Sequence, residues 1–163
     1  MFLDTQLRFS GSMANDASAT VTGQAITATA ISANVIDLRQ PAGTPAIVDE
    51  SVGEWGMDLL AKTTTATNGA DAAKTLTTTL ESATDAGLTT GIVVHASSGA
   101  ITGATLVANF VFWRSRLPYG NYARFLGLRY TVSAGFTSFG VEAFLLSDLD
   151  RNIIYGIGYT LDA

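Results

Sequence analysis

Apolar side chains recur at every second position in one segment of this chain after another, and that period of two constrains the fold more than any other feature. In 54–66, Trp55, Met57, Leu59 and Ala61 alternate with Gly56, Asp58 and Lys62. In 74–83, Leu76, Thr78 and Leu80 stand opposite Thr75, Thr77, Thr79 and Glu81. In 123–134, Leu126, Leu128, Tyr130 and Val132 oppose Gly127, Arg129, Thr131 and Ser133. In 139–147, Phe139, Val141, Ala143 and Leu145 oppose Gly140 and Glu142. Successive side chains of a strand point to opposite faces, so each segment sets one face on a core and the other toward solvent. Segment 104–114 is apolar on both faces, with Leu106, Ala108, Phe110 and Phe112 on one and Val107, Val111 and Trp113 on the other. It predicts a central strand, or one under an intersubunit contact. Two N-terminal strands, one through Ile26, Ala28 and Ala30 and one over Val35–Leu38, and a short one around Ile92-Val93-Val94 bring the count to about eight. Gly, Pro and Asn turns separate them. The expectation is an all-β, jelly-roll-like antiparallel sandwich.

The 163 residues are about one domain's worth, with 22 threonines, 16 glycines and only two lysines, Lys62 and Lys74. That composition disfavours an ordinary helical protein. The sandwich is expected over 24–150. Residues 1–23 show no periodicity and read as an N-terminal arm, although they carry Phe2, Leu3, Leu7 and Phe9. Residues 151–163 read as a C-terminal tail carrying Ile153, Ile154, Tyr155, Ile157, Tyr159 and Leu161. Such segments either add edge strands to their own sandwich or dock on a neighbour, and for the second case these residues are candidate interface positions. Val107, Val111 and Trp113 join them as the second face of 104–114. That face needs cover and predicts a homo-oligomer, a dimer ahead of a trimer.

The charge balance of −5 lacks a clustered basic face, so nucleic acid is not an expected partner. The stretch Ala86–Trp113 is free of Asp, Glu, Lys and Arg, but Gly, Ser, Thr and His interrupt it, so no membrane partner is expected either. No cysteine is present to form a disulfide or a thiolate metal site.

The search for chemistry comes back bland. His95 is the only histidine, and no Gly-x-Ser-x-Gly elbow accompanies it, so a structural or surface role is expected. Asp148-x-Asp150-x-Asn152 opens like a calcium loop, but Ile153 and Tyr159 stand where that loop needs Gly and Glu. Asp49, Glu50 and Glu54 read as loop carboxylates, and Gly156-x-Gly158 is no dinucleotide fingerprint. Trp55 and Trp113 would make a sugar-stacking platform if exposed, but within apolar alternation they read as core. Neither an enzymatic activity nor a cofactor is expected.

Three blocks are more specific. Gln24-Ala25-Ile26-Thr27-Ala28-Thr29-Ala30-Ile31-Ser32-Ala33-Asn34-Val35-Ile36-Asp37-Leu38 resembles the first block of the capsid cement proteins of short-tailed phages of the Bordetella phage type. Arg124–Val132 and Gly140–Leu145 are similar to that family's paired C-terminal strands, and Leu3-Asp4 to its usual start. The resemblance runs in order over about residues 1–150, by pattern rather than motif through 39–105. It implies a non-enzymatic jelly-roll cement, or decoration, protein. Such a protein would be made in the host cytoplasm, sit on the outer surface of the phage head, and bridge neighbouring major capsid proteins. The family's type example forms dimers over capsid two-folds. The alternative is a carbohydrate- or receptor-binding jelly-roll module of a phage using Trp55 and Trp113.

Overall fold

A computed structural model describes residues 7–11, 22–38 and 57–147. Ten strands occur in this order: β1 (Arg8–Ser10), β2 (Gln24–Ala25), β3 (Ala30–Ile31), β4 (Ile36–Asp37), β5 (Met57–Thr65), β6 (Thr75–Ala83), β7 (Val93–Thr102), β8 (Val111–Arg116), β9 (Phe125–Val132) and β10 (Gly140–Ser147). The helical turns among them are single 3-10 turns at Gly69–Asp71 and Gly103–Thr105.

All pairings are antiparallel. Sheet one runs β1-β10-β5-β8, with β2 also on β10, and sheet two runs β3-β9-β6-β7, with β4 also on β9. The short strands β1 and β2 share one edge position, as do β3 and β4, which leaves four positions per sheet. Numbered along the chain, positions 1, 8, 3 and 6 form sheet one, and positions 2, 7, 4 and 5 form sheet two. That winding is the jelly roll expected from the sequence.

The long strands follow the period-two reading. Leu59 and Ala61 of β5, Leu76 and Leu80 of β6, Leu126, Leu128 and Tyr130 of β9, and Val141, Ala143 and Leu145 of β10 meet in one core between the sheets. A Leu side chain taken out of water in this way contributes about 1.5–3 kcal/mol.

Several expectations need correction. First, 104–114 is not one strand. Gly103 opens a 3-10 turn so close to the next segment that a β-carbon there would lie 2.1 Å from the Asp71 carbonyl oxygen. Asn109 then takes a positive φ of 62°, and β8 begins only at Val111. A continuous apolar run carries no periodicity, so nothing in it announces the break. Second, β8 is bulged: Ala61 pairs with Trp113 but Lys62 with Val111, leaving Phe112 as the extra residue. Phe112 and Trp113 therefore both belong to the core, which strict alternation forbids. Third, the strand buried on both faces is β10. Phe144, Leu146 and Glu142 on its outer side are as enclosed as its core side chains, with Glu142 3.0 Å from Lys62 Nζ. Fourth, part of the supposed N-terminal arm belongs to the sandwich. β1 pairs with β10, Phe9 is fully buried and Leu7 packs against the same core. Ser10 Oγ lies 2.7 Å from the Tyr130 hydroxyl, tying β1 to sheet two. A three-residue strand is too short to show a period.

The predicted strand through Ile26 is also divided. β2 adds to β10 and β3 to β9, and the bends at Thr27–Thr29 carry the chain from one sheet to the other with Ile26 buried at the crossing.

Candidate interface on the open edge

The sandwich has two edges, and they differ. One is built of the short strands β1 to β4. The other consists of β7, the last strand of sheet two, and β8, the last strand of sheet one. Among the described residues, every exposed large apolar side chain lies between Ile92 and Tyr119, on or beside this second edge. Ile92, Val93 and Val94 open β7, whereas Val107, Phe110 and Val111 occupy its connection to β8 and the start of β8. Tyr119, 78% exposed, follows β8. A monomer rarely leaves a run of apolar side chains in water without a partner to cover it.

His95 fixes one end of the edge. It is the extra residue of a bulge in β7, since Leu80 pairs with Ala96 but Glu81 with Val94. Its ring stacks on Tyr122 with centroids 4.0 Å apart, and its Nε2 lies 2.7 Å from Ser82 Oγ. Ser82 Oγ also accepts the Ala123 amide at 2.9 Å, and the Tyr122 hydroxyl donates to the Pro118 carbonyl. The cluster thus joins β6, β7 and the β8–β9 connection. Burial lowers the His95 pKa below its ordinary 6.5, favouring a neutral ring, and pushes the Tyr122 phenol up to about 12. Ser82 and His95 make a nucleophile–base contact in form, but Ser82 is fully buried, so a substrate has no route to its oxygen.

The loop that leads into β7 is held equally firmly. Asp85 accepts the amides of Gly87, Thr89 and Thr90, and its carboxyl is held below the usual range despite burial, which acts the other way, by those bonds and the Thr89 hydroxyl. Leu88, at φ 48°, is buried, and its Cδ1 lies where a β-carbon on Gly127 would come within 2.7 Å. Arg129 donates to the Leu88 carbonyl at 2.6 Å and to Glu81 at 2.9 Å. The solvent face expected for Glu81 is therefore closed by this loop. Ile92–Val94 begin four residues past that anchor, on a rigid base.

Charge sets the edge apart as well. No acidic residue occurs between Asp85 and Glu142, in a chain whose net charge is −5. Arg114 and Arg116 of β8 are exposed there, with Asp58 of β5 opposite Arg116 across the strand pair.

The candidate residues named from the sequence divide accordingly. Val107 and Val111 are exposed on the edge, but Trp113, only 7% exposed, faces the core rather than a partner. Leu7 and Phe9 pack into their own sandwich. Phe2, Leu3, Ile153, Ile154, Tyr155, Ile157, Tyr159 and Leu161 lie outside the described residues, as do Trp55, Asp49, Glu50, Glu54 and the Asp148–Asn152 turn. Sequence reasoning missed Ile92, Phe110, Tyr119 and the two arginines as edge residues. The signal that pointed there was the charge-free stretch Ala86–Trp113.

Fold and edge together define a small jelly-roll module whose exposed large apolar side chains, among the described residues, lie on one edge. The family model described as Bbp16 matches residues 20–145, more than three quarters of the chain. The chain therefore belongs to the Bbp16 family, a Bordetella phage protein family, and this membership points to a phage structural protein. No curated protein matches it.

Proposed function

We propose that this protein is a capsid cement protein, binding the outer surface of the phage head and bridging neighbouring major capsid proteins. One observation carries the reading: the exposed large apolar side chains of the described sandwich gather on a single edge, in a member of a phage family. A clip across a joint between capsomers works by interface burial, and an interface of standard size buries roughly 1,600 Å² in all. Its strength then depends on a few well-packed anchors rather than on area. Many copies on one particle add avidity, because each bound contact raises the effective concentration of the next.

The sugar-binding alternative is disfavoured, because Trp113 is in the core and presents no stacking face. A homodimer remains part of the proposal, because Val107 and Val111, two of the three side chains that need cover, are exposed, whereas Trp113 lies in the core. The test uses heads assembled without this protein. Purified protein should co-sediment with them and raise the temperature at which they break open. Protein that stays in the supernatant at saturating concentration would contradict the reading.

A further inference from the structure

We propose that Asn68–Gly69 is a site of spontaneous covalent modification, where Asn68 converts to aspartate and isoaspartate and the isoaspartate loosens the segment 103–107. The site stands apart from the function proposed above; only its effect on attachment rests on that function.

An asparagine side chain is most easily lost when glycine follows it. The Gly69 amide nitrogen, giving up its proton, attacks Cγ of the Asn68 carboxamide. A C–N bond forms, and the side-chain nitrogen leaves as ammonia, which closes a cyclic imide. Water then adds to one of the two imide carbonyls. Addition at Cγ breaks the new bond and gives aspartate with the ordinary main chain. Addition at the main-chain carbonyl breaks the old peptide bond and gives isoaspartate, whose main chain runs through Cγ and is one methylene longer. Of the six asparagines only Asn68 precedes glycine, whereas Asn34, Asn109 and Asn121 precede Val, Phe and Tyr, which crowd the attacking nitrogen.

The pair is accessible. Both residues are exposed on the turn between β5 and β6. Asn68 is extended, at φ −88° and ψ 169°, and its side chain makes no capping bond to the 3-10 turn that follows. The Asp71 amide donates to the Asn68 carbonyl at 3.0 Å, and this bond opens when the Asn68 backbone rotates to bring nitrogen to carbon. A single exposed 3-10 turn is cheap to open.

The residues on either side are held far more firmly. Asp71 is fully buried, accepts the Thr137 amide at 2.8 Å and lies 2.6 Å from Lys74 Nζ. Thr67 donates its amide to the Leu106 carbonyl at 3.2 Å and its hydroxyl to the Gly103 carbonyl at 2.7 Å. The Gly103 and Ala104 amides donate to the carbonyls of Lys74 and Ala72, at 2.7 and 3.1 Å. The chain on both sides of Asn68 thus clamps 103–106. An extra methylene between two fixed points makes one clamp give way. The exposed connection through Val107 and Phe110 begins there, so aged protein attaches to heads more weakly.

Ageing the full chain at mildly alkaline pH tests the site. Trypsin releases Thr63–Lys74, in which Asn68 is the only asparagine. That peptide gains the mass of an amide-to-acid change and becomes a substrate for an isoaspartyl methyltransferase. Gly69→Ala slows the change at least about tenfold, because a side chain restricts the backbone and shields the nitrogen. The variant keeps its fold, since Gly69 has no positive φ and a β-carbon there meets nothing within 4 Å. Hydrogen–deuterium exchange at 103–107 rises at least about tenfold in the aged chain, with no such change across β9. Asn68→Asp carries the charge without the longer main chain and shows no rise.

Modification spread evenly over the asparagines, or undiminished in Gly69→Ala, overturns the site. Isoaspartate without faster exchange overturns the loosening, and an equal rise in Asn68→Asp overturns it in favour of charge. Aged protein that attaches as firmly as fresh protein overturns the effect on attachment. Fresh protein that fails to attach at all contradicts the cement reading alone.

Discussion

Gly127 shows how closely single residues are fitted in this molecule. A β-carbon there would come 2.7 Å from Leu88 Cδ1 and 3.3 Å from both Ser32 Oγ and Val35 Cγ2. Gly127→Ala should destabilise the protein by about 1–3 kcal/mol through overpacking, measured by urea unfolding, and it should loosen the loop ahead of β7. The position reads in the sequence only as the polar side of a strand, because the contact comes from a distant loop. His95 makes a second prediction. Its folded-state pKa lies below 6.5, so the unfolded chain takes up a proton first as pH falls. The stabilisation from a neutral His95 is complete above pH 6.5 and is lost as pH drops through that value toward the lower folded one. Thermal melts at pH 7.5, 6.5 and 5.5 should show that decline, and His95→Asn should flatten it. A slope unchanged in the variant would assign it to other groups.

Among the elements, β8 and its approach separate core from surface within a few residues. Trp113→Ala removes a core side chain and should cost about 3–5 kcal/mol. V107K/V111K changes only exposed positions and should leave unfolding free energy within about 0.5 kcal/mol while weakening attachment to heads. Comparing denaturation with co-sedimentation of the two variants checks both halves. The same stretch marks the limit of what the sequence discloses. β5, β6 and β9 are legible because one face of each lies on the core, so apolar and polar residues alternate, whereas β10 shows its core-facing Val141, Ala143 and Leu145 but not the burial of its outer face. β7 reads as a short strand around Ile92-Val93-Val94, because its bulged remainder, His95 to Thr102, lies along an exposed edge and needs no alternation. β8 hides in a run apolar on both sides, where a turn, the positive φ of Asn109 and a bulge leave no periodic trace. Val107 and Val111 are legible as apolar residues in need of an explanation, whereas the side to which Trp113 turns depends on the bulge at Phe112.

For the whole molecule, the jelly-roll winding gives the described sandwich two unlike edges. Four short strands cross between the sheets on one side and occupy it in pairs, with Phe9 and Ile26 buried in the core. On the other side β7 and β8 end their sheets, joined through an exposed connection, and the exposed large apolar side chains of the described residues collect there. The central claim is that this edge meets the phage head. A cryo-EM map of heads assembled without the protein and then decorated with it tests that claim most directly. The account predicts β7 and the Val107–Val111 connection against the shell. A map in which the sandwich attaches through the β1–β4 side, with the β7–β8 edge turned to solvent, would contradict it.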